Sequence, residues 1–154
     1  MSAQTIRRAG PADAAAIAAL TRRAYAKWVP VVGREPMPMT ADYDRAVVEH
    51  LIDLVENDGA LAALVEMAVE PDHLLIVNLA VDPACRGQGL GSRLLAHAEA
   101  VARELHLEML RLYTNGLMAE NIALYQRRGY EIDRVEVRTP DWSVIHMLKR
   151  LPPV

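Results

Sequence analysis

The chain has one cysteine, no phenylalanine, no excess of basic charge and no long apolar run. Each absence removes a class of function. Cys85 has no partner for an internal disulfide, so a reducing, cytoplasmic setting is expected. No apolar stretch reaches the about eighteen residues that a spanning helix requires, so no membrane partner is expected. Arg7-Arg8 ahead of Ala14 to Leu20 mimics a signal peptide only faintly, because Asp13 interrupts it and Arg22-Arg23 follow at once. A net charge of −3 lacks the basic surplus of nucleic-acid binders. The five histidines show no paired metal-ligand spacing, and a lone cysteine cannot make a zinc site, so no metal is expected. With Phe missing and Ala and Leu abundant, the core must be aliphatic.

What is present reads as an ordinary globular chain. Its 154 residues suffice for one domain over 1–154 with its own core. Hydrophobic residues make up 52% and charged residues 24%, with no internal repeat and no polar linker.

The rest of the chain is organised around Leu74 to Leu105. Leu74 to Val81 is a nearly continuous apolar run ended by Asp82-Pro83, which predicts a strand buried on both faces. Leu90, Leu94, Leu95, Ala98, Val101, Ala102 and Leu105 recur at spacings of three and four, one apolar stripe of a helix. Between them, Arg86-Gly87-Gln88-Gly89-Leu90-Gly91 lacks the side chains that would hold an anion away from the backbone. The first helical N–H groups are unpaired and the helix dipole is positive there, so the loop predicts a phosphate or pyrophosphate. A P-loop would end in Gly-Lys-Ser/Thr, whereas residues 91–93 are Gly-Ser-Arg. A dinucleotide fingerprint spaces its glycines Gly-x-Gly-x-x-Gly and needs a later acidic strand end; neither is found.

Arg86-x-x-Gly89-x-Gly91 after a strand ending Val81-Asp82-Pro83 resembles the GNAT-type N-acetyltransferases. A second piece, Glu120-Asn121-Ile122-Ala123-Leu124-Tyr125 followed by Gly129-Tyr130, resembles the same family. Tyr113-Thr114-Asn115 with Met118 and Glu120-Asn121 looks like an uncharacterised bacterial subgroup of it. The resemblance implies an α/β fold: a mixed, mostly antiparallel sheet of about six to seven strands, helices on both faces and a splayed central strand pair. It implies acetyl-CoA as acetyl donor, its pyrophosphate held by Arg86, Gly87, Gln88, Gly89, Leu90, Gly91 and Ser92. The backbone of Leu79, Ala80 and Val81 would take the pantetheine arm and the acetyl carbonyl. Asn121 would contact the cofactor and Tyr125 would point at the CoA sulfur; standing i and i+4, they share one helical face. A hydroxyl there can donate a proton to the departing thiolate.

Turn signals give the remaining order. A strand at Thr5 to Ala9, a helix from Pro11 to about Lys27 and an irregular, Pro-rich Val29 to Met39 come first. A helix from Thr40 to about His50 follows, then strands at Leu51 to Glu56 and Ala60 to Val69 around Asn57-Asp58-Gly59. After the central unit come a strand from Glu108 to Thr114, a helix from Ala119 to Arg128 and a hairpin of Tyr130 to Arg138 with Trp142 to Lys149. Trp28 to Tyr43, long and partly apolar, is expected on the acceptor side, where Glu35 and Tyr43 would affect the amine.

An attacking alkyl ammonium must first lose a proton. Asn78, at an inward position of the central strand, cannot take one. Glu66 is the leading candidate base, with Glu70 and Asp42 behind it; the alternative for each is a solvated surface carboxylate. Arg127-Arg128 could meet the CoA 3′-phosphate, or simply complement a helix C-terminus. The expected function is direct transfer of acetyl from acetyl-CoA to a primary amine, of a small molecule or a peptide, in a ternary complex. The alternative is an inactive CoA-binding sensor or structural module of the same fold. A homodimer is left open.

Overall fold

Asp58 and Gly59, at φ of 54° and 85°, make a tight turn whose positive φ values suit a two-residue hairpin. It folds β2 (Leu51–Asn57) back on β3 (Ala60–Val69), although alanine-rich β3 would favour a helix on propensity alone. Around this hairpin the computed structural model describes residues 4–153; the ends of the span expected to form one domain, 1–3 and 154, lie outside the described residues. The other strands are β1 (Gln4–Arg8), β4 (Leu74–Val81), β5 (Met109–Asn115), β6 (Glu131–Thr139) and β7 (Trp142–Arg150). The helices are α1 (Ala14–Tyr25), α2 (Val29–Val32), α3 (Tyr43–Glu49), α4 (Leu90–Glu104) and α5 (Ala119–Arg127). Among the described residues no helix is long and apolar enough to cross a membrane.

The strands form one seven-stranded sheet in the order β1-β2-β3-β4-β5-β7-β6. Every neighbour pair is antiparallel except β4 and β5, which run parallel because α4 carries the chain back across the sheet. One face packs Leu94, Leu95 and Ala98 of α4 against Val65, Met67 and Leu110. The other packs Ile17 and Leu20 of α1 and Ala46 of α3 against Leu54, Leu64 and Ala80.

Several element ends differ from expectation, and one of them has a capping cause. The helix expected from Pro11 to Lys27 is α1 flanked by 3-10 turns at Pro11–Asp13 and Ala26–Trp28. The Asp13 carboxylate accepts the Gly10 N–H at 2.8 Å, closing the first tight turn. The helix expected from Thr40 starts at Tyr43, because the Asp42 carboxylate accepts the Arg45 N–H at 3.2 Å and caps it there. The Pro-rich segment expected to be irregular contains α2 and a 3-10 turn at Met37–Met39.

A bulge in β4 positions the site. Glu66 pairs with Asn78 and Met67 with Ile76, so Val77 is an extra residue on β4. Side chains alternate along a strand, and one extra residue moves the later ones to the opposite face. Leu74 and Ile76 therefore pack with α4, whereas Ala80 packs with α1 and Asn78 meets Thr21, Tyr25 and Tyr43.

Candidate active site

Beyond the bulge the two parallel strands part. Pairing joins Leu74–Ile76 of β4 to Leu110–Leu112 of β5 and then ends, although β4 continues to Val81 and β5 to Asn115. The Asp82 N–H donates to the Ala62 carbonyl at 2.8 Å, which sets the phase of the β3–β4 ladder. In that phase Ala80 and Leu64 exchange both backbone groups, while Leu79 and Val81 turn theirs away from β3 into the gap. Of the three backbone positions expected to meet the cofactor, Leu79 and Val81 thus face the gap and Ala80 faces β3. Its amide and carbonyl belong to the ladder, and its side chain is buried beside α1.

The loop after β4 is held from below. The Asp82 carboxylate accepts the Ala84 N–H at 2.9 Å and receives Arg23 of α1 at 3.0 Å, and these contacts hold it below its ordinary range, the Ala84 N–H foremost. Gly87 and Gly89 sit at φ of 80° and 75°, where a side chain is strained. A Cβ on Gly89 would meet no atom of the described residues within 4 Å, so the space it would enter is open. No side chain caps α4, and the Gly89 carbonyl is taken by the Arg93 N–H at 3.0 Å. The N–H groups of Leu90, Gly91 and Ser92 consequently have no helical partner. The Leu90 side chain is buried in the core, leaving only its backbone for the loop. Gln88 is exposed. Arg86 lines the loop's cavity and donates to the Ala24 carbonyl at 3.3 Å.

Two cavities meet at the splay. The smaller, about 100 Å³, lies beside Arg86, Gly91, Lys27 and Trp28. The larger, about 440 Å³, opens on the opposite side between α3, the segment 32–43, the end of β5 and the start of β7. Tyr25, Leu79, Asn121 and Tyr125 line both. Asn121 and Tyr125 therefore share one cleft, as their spacing predicts. Burial alone raises the Tyr125 hydroxyl to about 12, so it keeps its proton at neutral pH.

The larger cavity has a polar floor. Asn78 is 2% exposed and accepts from the Tyr25 hydroxyl at 2.9 Å, which also reaches the Leu79 carbonyl at 3.2 Å. The Asn78 amide donates to Tyr43 at 3.2 Å and Thr21 at 3.3 Å, and Tyr43 donates to the Pro38 carbonyl at 2.6 Å. Opposite Asn78 on the same face, Glu66 is 3% exposed, so the solvated alternative does not hold for it. Its carboxylate meets Nδ1 of His50 at 2.6 Å, and an ionised Glu66 makes that nitrogen the donor. Asp53, the other buried carboxylate among the described residues, packs with His97 and Arg8 and lines neither cavity.

The remaining candidates separate cleanly. Asp42 lines the larger cavity but caps α3; Glu70 lies at the far end of β3 and lines neither. Glu35 pairs with Arg22 at 2.8 Å and lines neither cavity, whereas Tyr43 lines the larger one. Arg128 pairs with Glu99 at 3.6 Å. Sequence reading missed His50 and Tyr25. His50 stands sixteen residues before Glu66, and only the β2–β3 hairpin brings them together.

The family model described as the acetyltransferase (GNAT) family matches residues 16–130. A protein of Bacillus subtilis (strain 168), uncharacterised and called YxbD, is 31% identical over 84 residues, 54% of this chain and 52% of its own length. A mycothiol acetyltransferase of Beutenbergia cavernae is 37% identical over 83 residues, 52% of this chain and 28% of its own. These matches therefore span about half or less of the curated relatives. Among solved structures, the PaiA N-acetyltransferase of Thermoplasma acidophilum in complex with coenzyme A superposes with a TM-score of 0.81 at 15% identity, over 96% of this chain and 99% of that one. The ribosomal-protein-S18-alanine N-acetyltransferase of Escherichia coli gives 0.78 at 23% identity, over 99% and 96%. With three quarters of its length under the family model, the chain belongs to the acetyltransferase (GNAT) family.

Proposed function

We propose that this protein moves an acetyl group from acetyl-CoA to a primary amine by direct attack within a ternary complex, acting in the cytoplasm as one domain over 1–154. The observation that carries the reading is the meeting of two cavities at Tyr25, Leu79, Asn121 and Tyr125, where β4 leaves β5. A donor entering from one side and an acceptor from the other would meet at that wall.

The residues present fit acetyl-CoA. The uncapped start of α4, the open space at Gly89 and the charge of Arg86 suit a pyrophosphate. The backbone groups of Leu79 and Val81 face the gap and suit the amides of the pantetheine arm. The bound thioester would supply an activated acetyl carbonyl and a thiolate leaving group. Glu66, buried at the acceptor side, would take the ammonium proton, with His50 fixing its carboxylate. Tyr125, protonated and lining both cavities, would donate to the thiolate.

Calorimetry with acetyl-CoA tests the donor side. The wild type should bind one equivalent, and Gly89→Val should bind at least about tenfold more weakly, since losing one good anion contact costs about 1.4 kcal/mol or more. A folded Gly89→Val protein with unchanged affinity would place the pyrophosphate elsewhere.

A further inference from the structure

The chain has five Tyr, two Trp and no Phe, yet Tyr25, Tyr43, Tyr113, Tyr125 and Trp142 all line the larger cavity. So sparse an aromatic complement, concentrated at one place, builds a wall of flat apolar surface. The hydroxyls of Tyr25 and Tyr43 are spent on Asn78, Leu79 and Pro38, so what these two residues can offer an occupant is ring rather than hydroxyl. Val32, Ile76, Leu112, Met118 and Val144 fill in between, and Met37 stands 74% exposed at the lip.

Charge narrows the occupant further. Three carboxylates line the cavity: Asp42, which caps α3, and Glu49, which holds Arg45 at 2.7 Å, are both exposed, and Glu66 holds His50. Only Glu66 is buried at depth, which provides for one ammonium and not several. A fixed positive charge also stands over the cavity. The Arg34 guanidinium lies on the Trp142 ring at 3.7 Å and makes no ion pair among the described residues. That contact joins the segment after α2 to the start of β7 at the rim of the cavity.

Resting on the acetyl-transfer reading above, the geometry points to a compact monoamine with a ring-bearing, uncharged body as the acceptor. Its ring lies beside Tyr43 and Tyr113, with Trp142 held by Arg34 at the rim, and its nitrogen is directed to Glu66. Polyamines and aminoglycosides find no second buried carboxylate for their further charges here, only the exposed Asp42 and Glu49, and a peptide chain meets the Arg34–Trp142 contact at the rim.

The test is a panel of amines with acetyl-CoA, read as thiol release: 2-phenylethylamine and tryptamine against spermidine, kanamycin and a short peptide with a free N-terminus. The ring-bearing amines should exceed the others in kcat/KM by at least about tenfold, the worth of one good aromatic contact. Tyr113→Ala, at a position 45% exposed and so safe for folding, should raise KM for 2-phenylethylamine about tenfold and leave that for acetyl-CoA unchanged. Equal or faster acetylation of spermidine, kanamycin or the peptide would overturn this assignment and leave acetyl transfer standing. Acetylation of no amine at all would overturn both. An unchanged KM in Tyr113→Ala would remove the aromatic wall from recognition.

Discussion

Tyr125→Phe should lower turnover by about 10²-fold, the lower end of what acid assistance supplies, because a CoA thiolate already leaves readily. Acetyl-CoA affinity should be nearly unchanged. The ring keeps its place in the core and its edge-on contact with Tyr130 at 6.0 Å, so only the hydroxyl is lost. A contact made chiefly in the transition state lowers kcat and kcat/KM together when removed. The pH dependence has a definite sign. With its pKa raised to about 12, the hydroxyl is a donor below that value and loses its proton only as pH rises through it. The ratio of wild-type to Tyr125→Phe rates should therefore stay flat from about pH 7 to about pH 10. Steady-state rates across that range check both statements. A ratio near one would make the tyrosine a packing residue, and a ratio that collapses above about pH 9 would contradict the buried, protonated hydroxyl.

Glu66→Gln should cost about 10²–10⁴-fold in kcat with a charged amine, because an amide of the same shape cannot accept a proton. The substitution keeps a carbonyl oxygen for Nδ1 of His50, so the buried site stays paired and the fold should hold, as a thermal melt would verify. Assaying each variant with an amine that is already neutral sharpens the result. The Glu66→Gln defect should shrink there, whereas the Tyr125→Phe defect should persist, since one acts on the acceptor and the other on the leaving group. Wild-type turnover from Glu66→Gln would move the proton to water or to another residue.

The central unit was legible because its signals are local. An apolar run closed by Asp82-Pro83, three glycines and a stripe of leucines each state their own geometry, and the structure keeps them as β4, the loop and α4. Alanine-rich β3 was read correctly from its flanking turns rather than its composition. The acceptor side was less legible because it depends on faces. Val77 carries no mark of a bulge, yet that one residue decides that Asn78 looks toward α1 while Ile76 looks toward α4. The phase of the ladder, which turns Ala80 away from the gap, is likewise invisible in Leu79-Ala80-Val81. Glu66 did leave a trace, a single carboxylate inside the apolar run Leu61 to Val69, and it proved buried. His50 left none, since its partner reaches it only through hairpin pairing. Arg34 and Trp142, more than a hundred residues apart, meet only through the tertiary fold.

The most direct test of acetyl transfer follows the protein with acetyl-CoA in the presence and absence of amine, measuring thiol released and acetyl amide formed by mass spectrometry. Direct attack predicts one amide per thiol when amine is present, no burst of thiol when it is absent, and no acetyl adduct on Cys85 or any other residue. A stoichiometric burst with an acetylated protein would replace direct attack by a covalent route. Tight acetyl-CoA binding with no thiol released by any amine would make the protein a CoA-binding module.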